Sequence, residues 1–200
     1  MSTSFWNDRY ASNETVYGAE PNEFLSGMAG RFPKRGRALE IGAGEGRNAL
    51  FLASLGLEVL AVDQSEVGMA KAQRLARERG LRLETRAADL SDFDADAGSF
   101  DVVCSIFVHL PTPLRAAVHA RVKSWLKPGG VYVLEAYGPE QLGRDTGGPK
   151  DPSLIVPLDV LVRELDGLRI EHQAALVRRV VEGPFHSGDA SVVQVMARKC

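Results

Sequence analysis

Short apolar runs alternate with helix-like segments between residues 37 and 138 of the chain. The runs predict five β-strands, at residues 37–42, 57–62, 81–87, 100–107 and 131–137. The fourth run, FDVVCSIF, is apolar almost throughout, which is typical of a strand covered on both faces. Three helices are predicted between these strands. The first follows strand one and ends at Leu55, and the second is capped by Ser65 and ends at about Arg79, before Gly80. The third is capped by Thr112 and ends at the sequence KPGG. This alternation predicts right-handed βαβ units and a parallel sheet.

The two ends of the chain follow a different pattern. A short helix is predicted at 157–165, followed by two long β-type runs at 168–181 and 190–198, with glycines and a proline at 183–188 between them. These runs predict an antiparallel pair at one edge of the sheet. The first 35 residues lie outside the alternation, and one short helix is predicted there, at 21–30, over the carboxyl edge of the sheet.

The composition is that of one globular domain. The chain has 200 residues, 44% hydrophobic and 25% charged, and 24 basic against 26 acidic residues give a net charge of −2. This balance excludes intrinsic disorder and argues against nucleic acid as a partner. Only two cysteines, a polar N-terminal sequence and the lack of a long apolar run predict a cytoplasmic domain with no signal peptide and no membrane partner. No metal site is predicted.

The sequence EIGAGEG, residues 40–46, links the first strand to its helix. Glycine there permits a tight turn and lets a ligand approach the backbone, while the helix N-terminus offers unpaired N–H groups. The spacing is GxGxG, whereas the dinucleotide fingerprint GxGxxG requires glycine at position 47, where this chain has Arg47. A nicotinamide-dependent oxidoreductase is therefore the less favoured alternative.

Two acidic residues follow the next two predicted strands. Asp63 ends the second strand, about 20 residues after the glycine turn, where a carboxylate can accept both hydroxyls of a ribose. Asp89, in Ala88-Asp89-Leu90 at the end of the third strand, can accept from an adenine amino group. Each also has a purely structural interpretation, Asp63 as a helix cap and Asp89 as a turn residue. Their common position at the carboxyl ends of consecutive parallel strands favours a ligand site.

Together these features resemble the class I S-adenosylmethionine-dependent methyltransferases. The glycine turn, the acid after strand two, Ala-Asp-Leu after strand three, Phe-Asp-Val-Val in strand four and Leu-Lys-Pro-Gly-Gly before strand five match that family in order and spacing over residues 37–138. The resemblance implies a three-layer, Rossmann-like α/β fold with a mostly parallel seven-stranded sheet and an antiparallel last strand. It also implies S-adenosylmethionine as cofactor, S-adenosylhomocysteine as product and a small-molecule methyl acceptor.

The flanking sequences resemble a narrower group, the tellurite-resistance-type small bacterial methyltransferases. The similarity to this group lies in four short motifs, WNDRY at 6–10, YG at 17–18, PN at 21–22 and GRNA at 46–49. A subgroup of its relatives also shares three later motifs, PEQL at 139–142, GGPK at 147–150 and EG…HSG at 182–188. It implies a single methyltransferase domain, residues 1–200. Within it we expect an N-terminal cap segment (1–35), a cofactor-binding core (37–138), and a lid segment with the terminal antiparallel strands (139–200). A monomer or homodimer is expected.

The resemblance also implies which residues hold the cofactor. Glu40 would face the methionine ammonium group, Asp63 the ribose, and Asp89 with the Leu90 N–H the adenine. Aromatic faces attract a sulfonium cation, so an aromatic ring near the site can shield it, although each such ring can equally belong to the core. The complete expected set is Tyr10, Tyr17, Glu40, Gly42, Ala43, Gly44, Gly46, Arg47, Asn48, Asp63, Gln64, Ser65, Ala88, Asp89, Leu90 and Phe107.

In-line transfer requires the acceptor above the end of the fourth strand, at the sequence FVHLP. His109 in that sequence is a candidate general base for an oxygen or nitrogen acceptor, and His186 in the terminal loop is the second. Each can also be an ordinary loop histidine. A tellurite- or selenite-type oxyanion or a thiolate needs no base; for such an acceptor, or a small carboxylate, cationic side chains would clamp the anion. Those available are Arg47, Arg115, Arg144 and Lys150.

The residues leave one alternative from outside the enzymes open. A sensor or partner subunit that binds the cofactor without catalysis would need the same glycine turn and the same acids. We therefore expect a small-molecule methyltransferase, with a non-catalytic cofactor-binding protein as the alternative.

Overall fold

A seven-stranded sheet forms the centre of the molecule, which is described for residues 2–12 and 14–200 in a computed structural model. The strands are β1 (Arg37–Ile41), β2 (Glu58–Asp63), β3 (Leu83–Ala87), β4 (Phe100–Ile106), β5 (Leu126–Tyr137), β6 (Leu168–Val181) and β7 (Ser187–Lys199). Their order across the sheet is β3-β2-β1-β4-β5-β7-β6. Strands β1 to β5 pair in parallel, and β7 runs antiparallel to both of its neighbours. The predicted Rossmann-like α/β fold is confirmed.

Helices cover both faces of this sheet. They are α1 (Thr3–Tyr10), α2 (Glu23–Gly27), α3 (Arg47–Ser54), α4 (Glu66–Glu78), α5 (Thr112–Trp125) and α6 (Leu158–Glu164), with 3₁₀ turns at Ala29–Arg31, Pro139–Gln141 and Pro152–Leu154. Apolar side chains of α5 and α6 pack on one face of the sheet, and those of α2, α3 and α4 pack on the other. Alternate residues of each strand face the two cores, which is why the central strands read as almost continuous apolar runs.

Local sequence signals set the ends of the best-predicted helix. Ser65 caps α4 by accepting a hydrogen bond from the Gly68 N–H at 3.0 Å. After the C-cap at Arg79, Gly80 has a φ of 66°, the left-handed conformation that commonly follows the last helical turn. Both features agree with the prediction.

Several elements differ from their predictions. Helix α5 includes Thr112 and has Pro111 rather than Thr112 at its cap. Strand β5 begins at Leu126, because Leu126 pairs with Phe100 of β4, and a register shift accommodates KPGG before pairing resumes between Val102 and Val131. Strand β3 is shorter than predicted, and β7 starts three residues earlier, at Ser187. The N-terminal segment contains α1, whose sequence has no periodic apolar pattern, and the predicted helix at 21–30 is divided into α2 and a 3₁₀ turn.

The topology brings the chemically interesting loops together. The loops after β1, β2, β3, β4 and β5 lie at one edge of the sheet, because these strands run in the same direction. The loop between β6 and β7 reaches the same edge, since Gly138 after β5 donates to the Ser191 carbonyl of β7 at 3.0 Å. No helix in the described part of the chain is long and apolar enough to cross a bilayer.

Candidate active site

The glycine turn and Asp63 are joined directly. The Gly44 N–H donates to Asp63 Oδ2 at 2.8 Å, and the Ser65 N–H donates to Asp63 Oδ1 at 2.8 Å. Burial raises the pKa of Asp63, and the backbone donors oppose this by stabilising its ionised form. Ala43 joins the same arrangement, since its N–H donates to the Val62 carbonyl at 3.0 Å. The carboxylate therefore fixes the turn and the start of α4 together.

Glu40 is buried with half of its hydrogen-bonding capacity unused. Its Oε1 accepts from Asn48 Nδ2 at 3.0 Å, whereas its Oε2 is buried without a partner. Burial raises the pKa of Glu40 to about 7, although the Asn48 hydrogen bond and the charge of Arg47 both lower it. A buried carboxyl oxygen without a donor is costly unless a ligand supplies one. The site thus has a position for a cationic or N–H group beside the glycine turn.

The end of β3 lies next to Asp63 but contributes less. The Ala88 N–H donates to the Asp63 carbonyl at 2.9 Å. Asp89 is exposed, and its Oδ1 accepts a hydrogen bond from the Ser91 N–H at 2.7 Å. One of its oxygens therefore stabilises a turn, which agrees with the structural interpretation of this residue. Leu90 is buried, with its carbonyl bound by Arg121.

The N-terminal segment covers the glycine turn. Tyr10 at the end of α1 is buried against Gly44, and Gln64 accepts a hydrogen bond from the Thr3 hydroxyl at 3.3 Å. Lys71 of α4 pairs with Glu45 of the turn at 2.6 Å. The same ammonium group donates to the carbonyls of Ser12 and Glu14, at 2.8 and 2.6 Å, and Glu45 Oε2 accepts from the Val16 N–H at 2.7 Å. The sequence predicts Lys71 on the solvated side of its helix with the other basic residues of α4, and its burial against Glu45 shows that this prediction is wrong.

An aromatic and histidine cluster lies at the ends of β4 and β5. The Tyr137 ring stacks on His109, with centroids 5.4 Å apart and planes 13° apart. The centroids of Phe107 and His186 lie 4.7 and 5.6 Å from that of Tyr137. Tyr17 contacts His186 at 4.6 Å. The structure therefore brings both predicted histidines and two of the predicted aromatic residues together, around a tyrosine that the sequence analysis did not select.

The cluster is held in an unusual backbone conformation. Phe107 is the one non-glycine residue with a positive φ, 55°, in the described part of the chain, and its N–H donates to the Glu135 carbonyl at 2.7 Å. Such strain is found disproportionately at functional sites. Gly42 of the glycine turn packs so closely against Val108 that a β-carbon at Gly42 would lie 2.4 Å from Val108 Cγ2. The aromatic and histidine cluster is thus adjacent to the glycine turn.

A buried network of charges lies beside the cluster. Arg178 of β6 binds Glu135 of β5 through two hydrogen bonds of 2.8 Å, and it also donates to Glu182 at 3.2 Å. Arg47 at the start of α3 donates to Glu182 as well, and Asn22 donates to both glutamates. These partners were missed because they come from distant parts of the sequence. The one available signal was Glu135, a charged residue inside the apolar run VYVLEAY.

The four cationic side chains predicted as a clamp for an anion each contact oxygen atoms of the protein. Arg115 pairs with Glu164, at 2.8 Å. Arg144 donates to the Glu140 carbonyl at 3.1 Å, and Lys150 to the Arg144 carbonyl at 3.4 Å. Arg47 is bound to Glu182 and to the Glu20 carbonyl.

Comparison with known proteins agrees with this geometry. Residues 38–130 match the family model described as a methyltransferase domain. The ubiquinone biosynthesis O-methyltransferase of Methylococcus capsulatus is 31% identical over 204 residues, which cover 90% of this chain and 83% of the relative. That of Xanthomonas axonopodis pv. citri is 30% identical over 132 residues, 64% of this chain and 54% of the relative. The 2-heptyl-1-hydroxyquinolin-4(1H)-one methyltransferase of Mycobacteroides abscessus is 29% identical over 117 residues, 57% of this chain and 52% of the relative. The chain thus spans about half the length of several curated relatives that it matches.

Solved structures share the fold. A protein of echinomycin biosynthesis, from a study of the conversion of a disulfide bond into a thioacetal group, superposes with a TM-score of 0.77 at 22% identity, over 98% of this chain and 92% of that one. TehB from Haemophilus influenzae superposes with a TM-score of 0.74 at 17% identity, over 99% of this chain and 67% of that one. The glycine turn joined to Asp63, the strand order and the sequence similarity agree: the chain belongs to the class I S-adenosylmethionine-dependent methyltransferases.

Proposed function

We propose that the protein transfers the methyl group of S-adenosylmethionine to the hydroxyl oxygen of a small, flat acceptor. The observation that carries this proposal is the cluster of Phe107, His109, Tyr137 and His186 beside the glycine turn. Aromatic faces suit a planar acceptor, and histidines suit one that loses a proton as it reacts.

The residues of the glycine turn fit the cofactor. The unpartnered Glu40 Oε2 suits the ammonium group of its methionine part, and the Asp63 carboxylate beside Gly44 suits its ribose. When bound, the cofactor supplies an electrophilic methyl group on a sulfonium, whose carbon–sulfur bond breaks with the electron pair passing to sulfur. We propose that the remaining predicted cofactor residues line the same site.

His109 is suited to orient the acceptor hydroxyl. Its Nδ1 is 3.3 Å from the Leu154 carbonyl, which can only accept, so Nδ1 carries the hydrogen and the buried Nε2 has a lone pair with no partner. Burial lowers the pKa of His109 to about 4, so the ring is neutral at neutral pH. A neutral imidazole with a free acceptor nitrogen can bind a hydroxyl hydrogen and turn the oxygen lone pair toward the methyl group.

The same environment argues against a bare oxyanion as acceptor. Arg47 and Arg115 are paired with Glu182 and Glu164, so neither is available to balance the charge of tellurite or selenite. Arg144 and the exposed Lys150 donate to backbone carbonyls. Two relatives carry names that suit a hydroxylated ring, an O-methyltransferase of ubiquinone biosynthesis and a methyltransferase of a 1-hydroxyquinolone. This similarity supports an oxygen acceptor, and the thiol and small-carboxylate alternatives are tested beside it.

The segment after β5 supports a covering role over the acceptor. A β-carbon at Gly148 would lie 2.6 Å from the Tyr137 ring, and the Tyr137 hydroxyl donates to the Thr146 carbonyl at 3.2 Å. Leu154, further along, holds His109. We propose that residues 139–152 form a lid, that the N-terminal segment forms a cap, and that all belong to one catalytic domain.

Transfer of a tritiated methyl group tests the proposal. The purified protein is incubated with labelled S-adenosylmethionine and phenols, hydroxyquinolones, thiols, tellurite, selenite or small carboxylates. We expect label on hydroxylated rings only, and a decrease of about 100-fold in H109A, with H172Q as the control histidine outside the cluster. Label on oxyanions or thiols alone would overturn the oxygen acceptor. Cofactor binding by calorimetry with no labelled product from any acceptor would favour the non-catalytic alternative, and binding of NAD instead would favour the oxidoreductase.

A further inference from the structure

Glu182 and His186 are the first and last residues of one tight turn between β6 and β7. The Glu182 N–H donates to the His186 carbonyl at 2.7 Å, and the His186 N–H donates to the Gly183 carbonyl at 3.3 Å. Gly183 packs against the N-terminal segment, since a β-carbon there would lie 2.5 Å from the Val16 carbonyl oxygen. The main-chain positions of Glu182 and His186 are therefore fixed relative to each other.

The Glu182 carboxylate is held by three donors from three different elements. Arg47 of α3 donates to Oε2, while Asn22 before α2 and Arg178 of β6 donate to Oε1, at 2.9 and 3.2 Å. Although burial raises the pKa of Glu182, its contacts with His186, Arg47 and Arg178 hold it at about 2. The group is thus a buried, permanent negative charge in a fixed orientation.

The His186 ring faces this charge with an unused nitrogen. Its Nδ1 is buried without a hydrogen-bond partner and lies 3.8 Å from Glu182 Oε2. Phe107, Tyr17 and Tyr137 surround the ring, with centroids 5.0, 4.6 and 5.6 Å away. A carboxylate on the Nδ1 side favours the tautomer with hydrogen on Nδ1, which leaves the lone pair on Nε2.

We infer that Glu182 is a positioning residue that sets the tautomer of His186, so that His186 Nε2 takes the proton of the acceptor hydroxyl. This inference rests on the proposed oxygen acceptor. In the step, the acceptor O–H bond breaks, its electron pair stays on oxygen, and the proton passes to Nε2. Because the hydroxyl has a single hydrogen and both Nε2 atoms can only accept it, the two histidines act in turn. The hydrogen lies toward His109 Nε2 as the acceptor binds, and it turns to His186 Nε2, which receives it as a proton when the oxygen reacts.

Arg47 connects this pair to the cofactor side of the site. It begins the helix after the glycine turn and binds Glu182. On a second path, Asn48 donates to Glu40, and its Oδ1 accepts from the N–H of Asn22, whose side chain binds Glu182. The orientation of His186 is therefore tied to the element that holds the cofactor.

Nitrogen NMR of the histidine rings tests the positioning role without turnover. In the uniformly ¹⁵N-labelled protein, with H186A used for assignment, we expect the His186 ring to show hydrogen on Nδ1. In E182Q we expect the opposite tautomer to gain population, because the amide can present N–H toward Nδ1. E171Q is the matched control, since Glu171 lies on β6, the strand that leads to Glu182, and pairs with Arg169 and Arg198 away from the cluster. Hydrogen on Nε2 in the wild-type protein would overturn the inference whether or not the variants fold.

Turnover of a hydroxylated acceptor supplies the second measurement. We expect kcat to fall about 100-fold in E182Q with KM for the acceptor changed less than about threefold, and E182D to recover part of the rate. Wild-type kcat in E182Q would overturn the role of Glu182. Absence of turnover in the wild-type protein, with the expected tautomer present, would instead count against the proposed function alone, so the two failures are distinguishable.

Discussion

Tyr10 lies directly on Gly44: a β-carbon at Gly44 would stand 2.7 Å from the tyrosine hydroxyl oxygen. Gly44 has a φ of 55° and donates its N–H to Asp63, so the turn cannot easily move away. The last turn of α1 therefore covers the centre of the glycine turn, where the cofactor of this family is expected to lie. The cap can be tested through this contact.

The substitution G44A should destabilise the protein through two separable effects. A left-handed conformation costs a non-glycine residue about 1 kcal/mol, and the added methyl group must also displace Tyr10, at a further cost of about 1–2 kcal/mol. Trp6 stacks on Tyr10 with centroids 5.6 Å apart, so displacement of α1 should change the Trp6 fluorescence. Denaturant unfolding followed by this fluorescence measures both effects.

Gly80 provides the matched control for this prediction. Its φ is 66° but a β-carbon there would meet nothing within 4 Å, so G80A should show the conformational cost alone. In the double variant Y10F/G44A the loss should be smaller than the sum of the single losses. Equal losses of stability for G44A and G80A would show that Tyr10 does not restrain the turn.

The parts of the site that follow from local sequence were predictable. The glycine turn, Asp63 and the Ser65 cap lie within 26 residues of one another and carry their own backbone signals. The pair of Arg178 and Glu135, 43 residues apart, depends on the register between β5, β7 and β6, which no local pattern sets. Helix α1 was missed because its few aromatic residues are not spaced as an apolar stripe. Tyr137 was missed because a tyrosine at the end of a strand looks like any other core residue.

Replacement of Asp63 separates a structural cap from a cofactor ligand. In D63N one backbone N–H, of Gly44 or Ser65, must face an amide N–H instead of an oxygen, which should cost about 1–3 kcal/mol of stability. If the carboxylate also holds the ribose, the affinity for S-adenosylmethionine should fall by a similar free energy in calorimetry. D101N is the control, because Asp101 accepts from the Arg37 N–H and from Lys127 away from the glycine turn. An unchanged affinity for S-adenosylmethionine in D63N would show that Asp63 has a structural role as a cap and does not bind the cofactor.

The buried pair of Lys71 and Glu45 should hold the N-terminal segment closed. K71M removes the ammonium group that binds Glu45 and the carbonyls of Ser12 and Glu14, and leaves the Glu45 carboxylate buried without its cation. Removing one partner of a buried ion pair costs about 3–5 kcal/mol. We therefore expect faster proteolysis of the N-terminal segment, measured by mass spectrometry of the fragments at short times.

Two variants define the outcome for this pair. R74A removes the exposed pair between Arg74 and Glu78 on the same helix, and should change stability by less than about 0.5 kcal/mol and leave proteolysis unchanged. K71M/E45L removes both charges and should recover part of the lost stability. Cleavage of K71M at the wild-type rate would mean that the segment is held by α1 alone.

Cofactor affinity should depend on pH through Glu40. In the free protein burial raises the pKa of this carboxyl to about 7, whereas a bound ammonium group favours the carboxylate and lowers it. Below pH 7 the free protein therefore holds a proton that the complex lacks, so affinity should fall as the pH falls, by up to about tenfold per unit, and level off above 7. Calorimetry in two buffers of different ionisation enthalpy should detect the proton released on binding at about pH 6.

The substitution E40Q removes the titrating carboxyl group. The affinity for S-adenosylmethionine should therefore become weaker and should no longer depend on pH below about 7. The comparison belongs below about pH 7.5, because the α-amino group of the cofactor itself titrates near pH 8. E58Q, at the exposed start of β2, is the control and should keep the wild-type profile. A dissociation constant for the wild-type protein that stays constant from about pH 5.5 to about 7.5 would show that the unpartnered Glu40 oxygen does not receive the ammonium group.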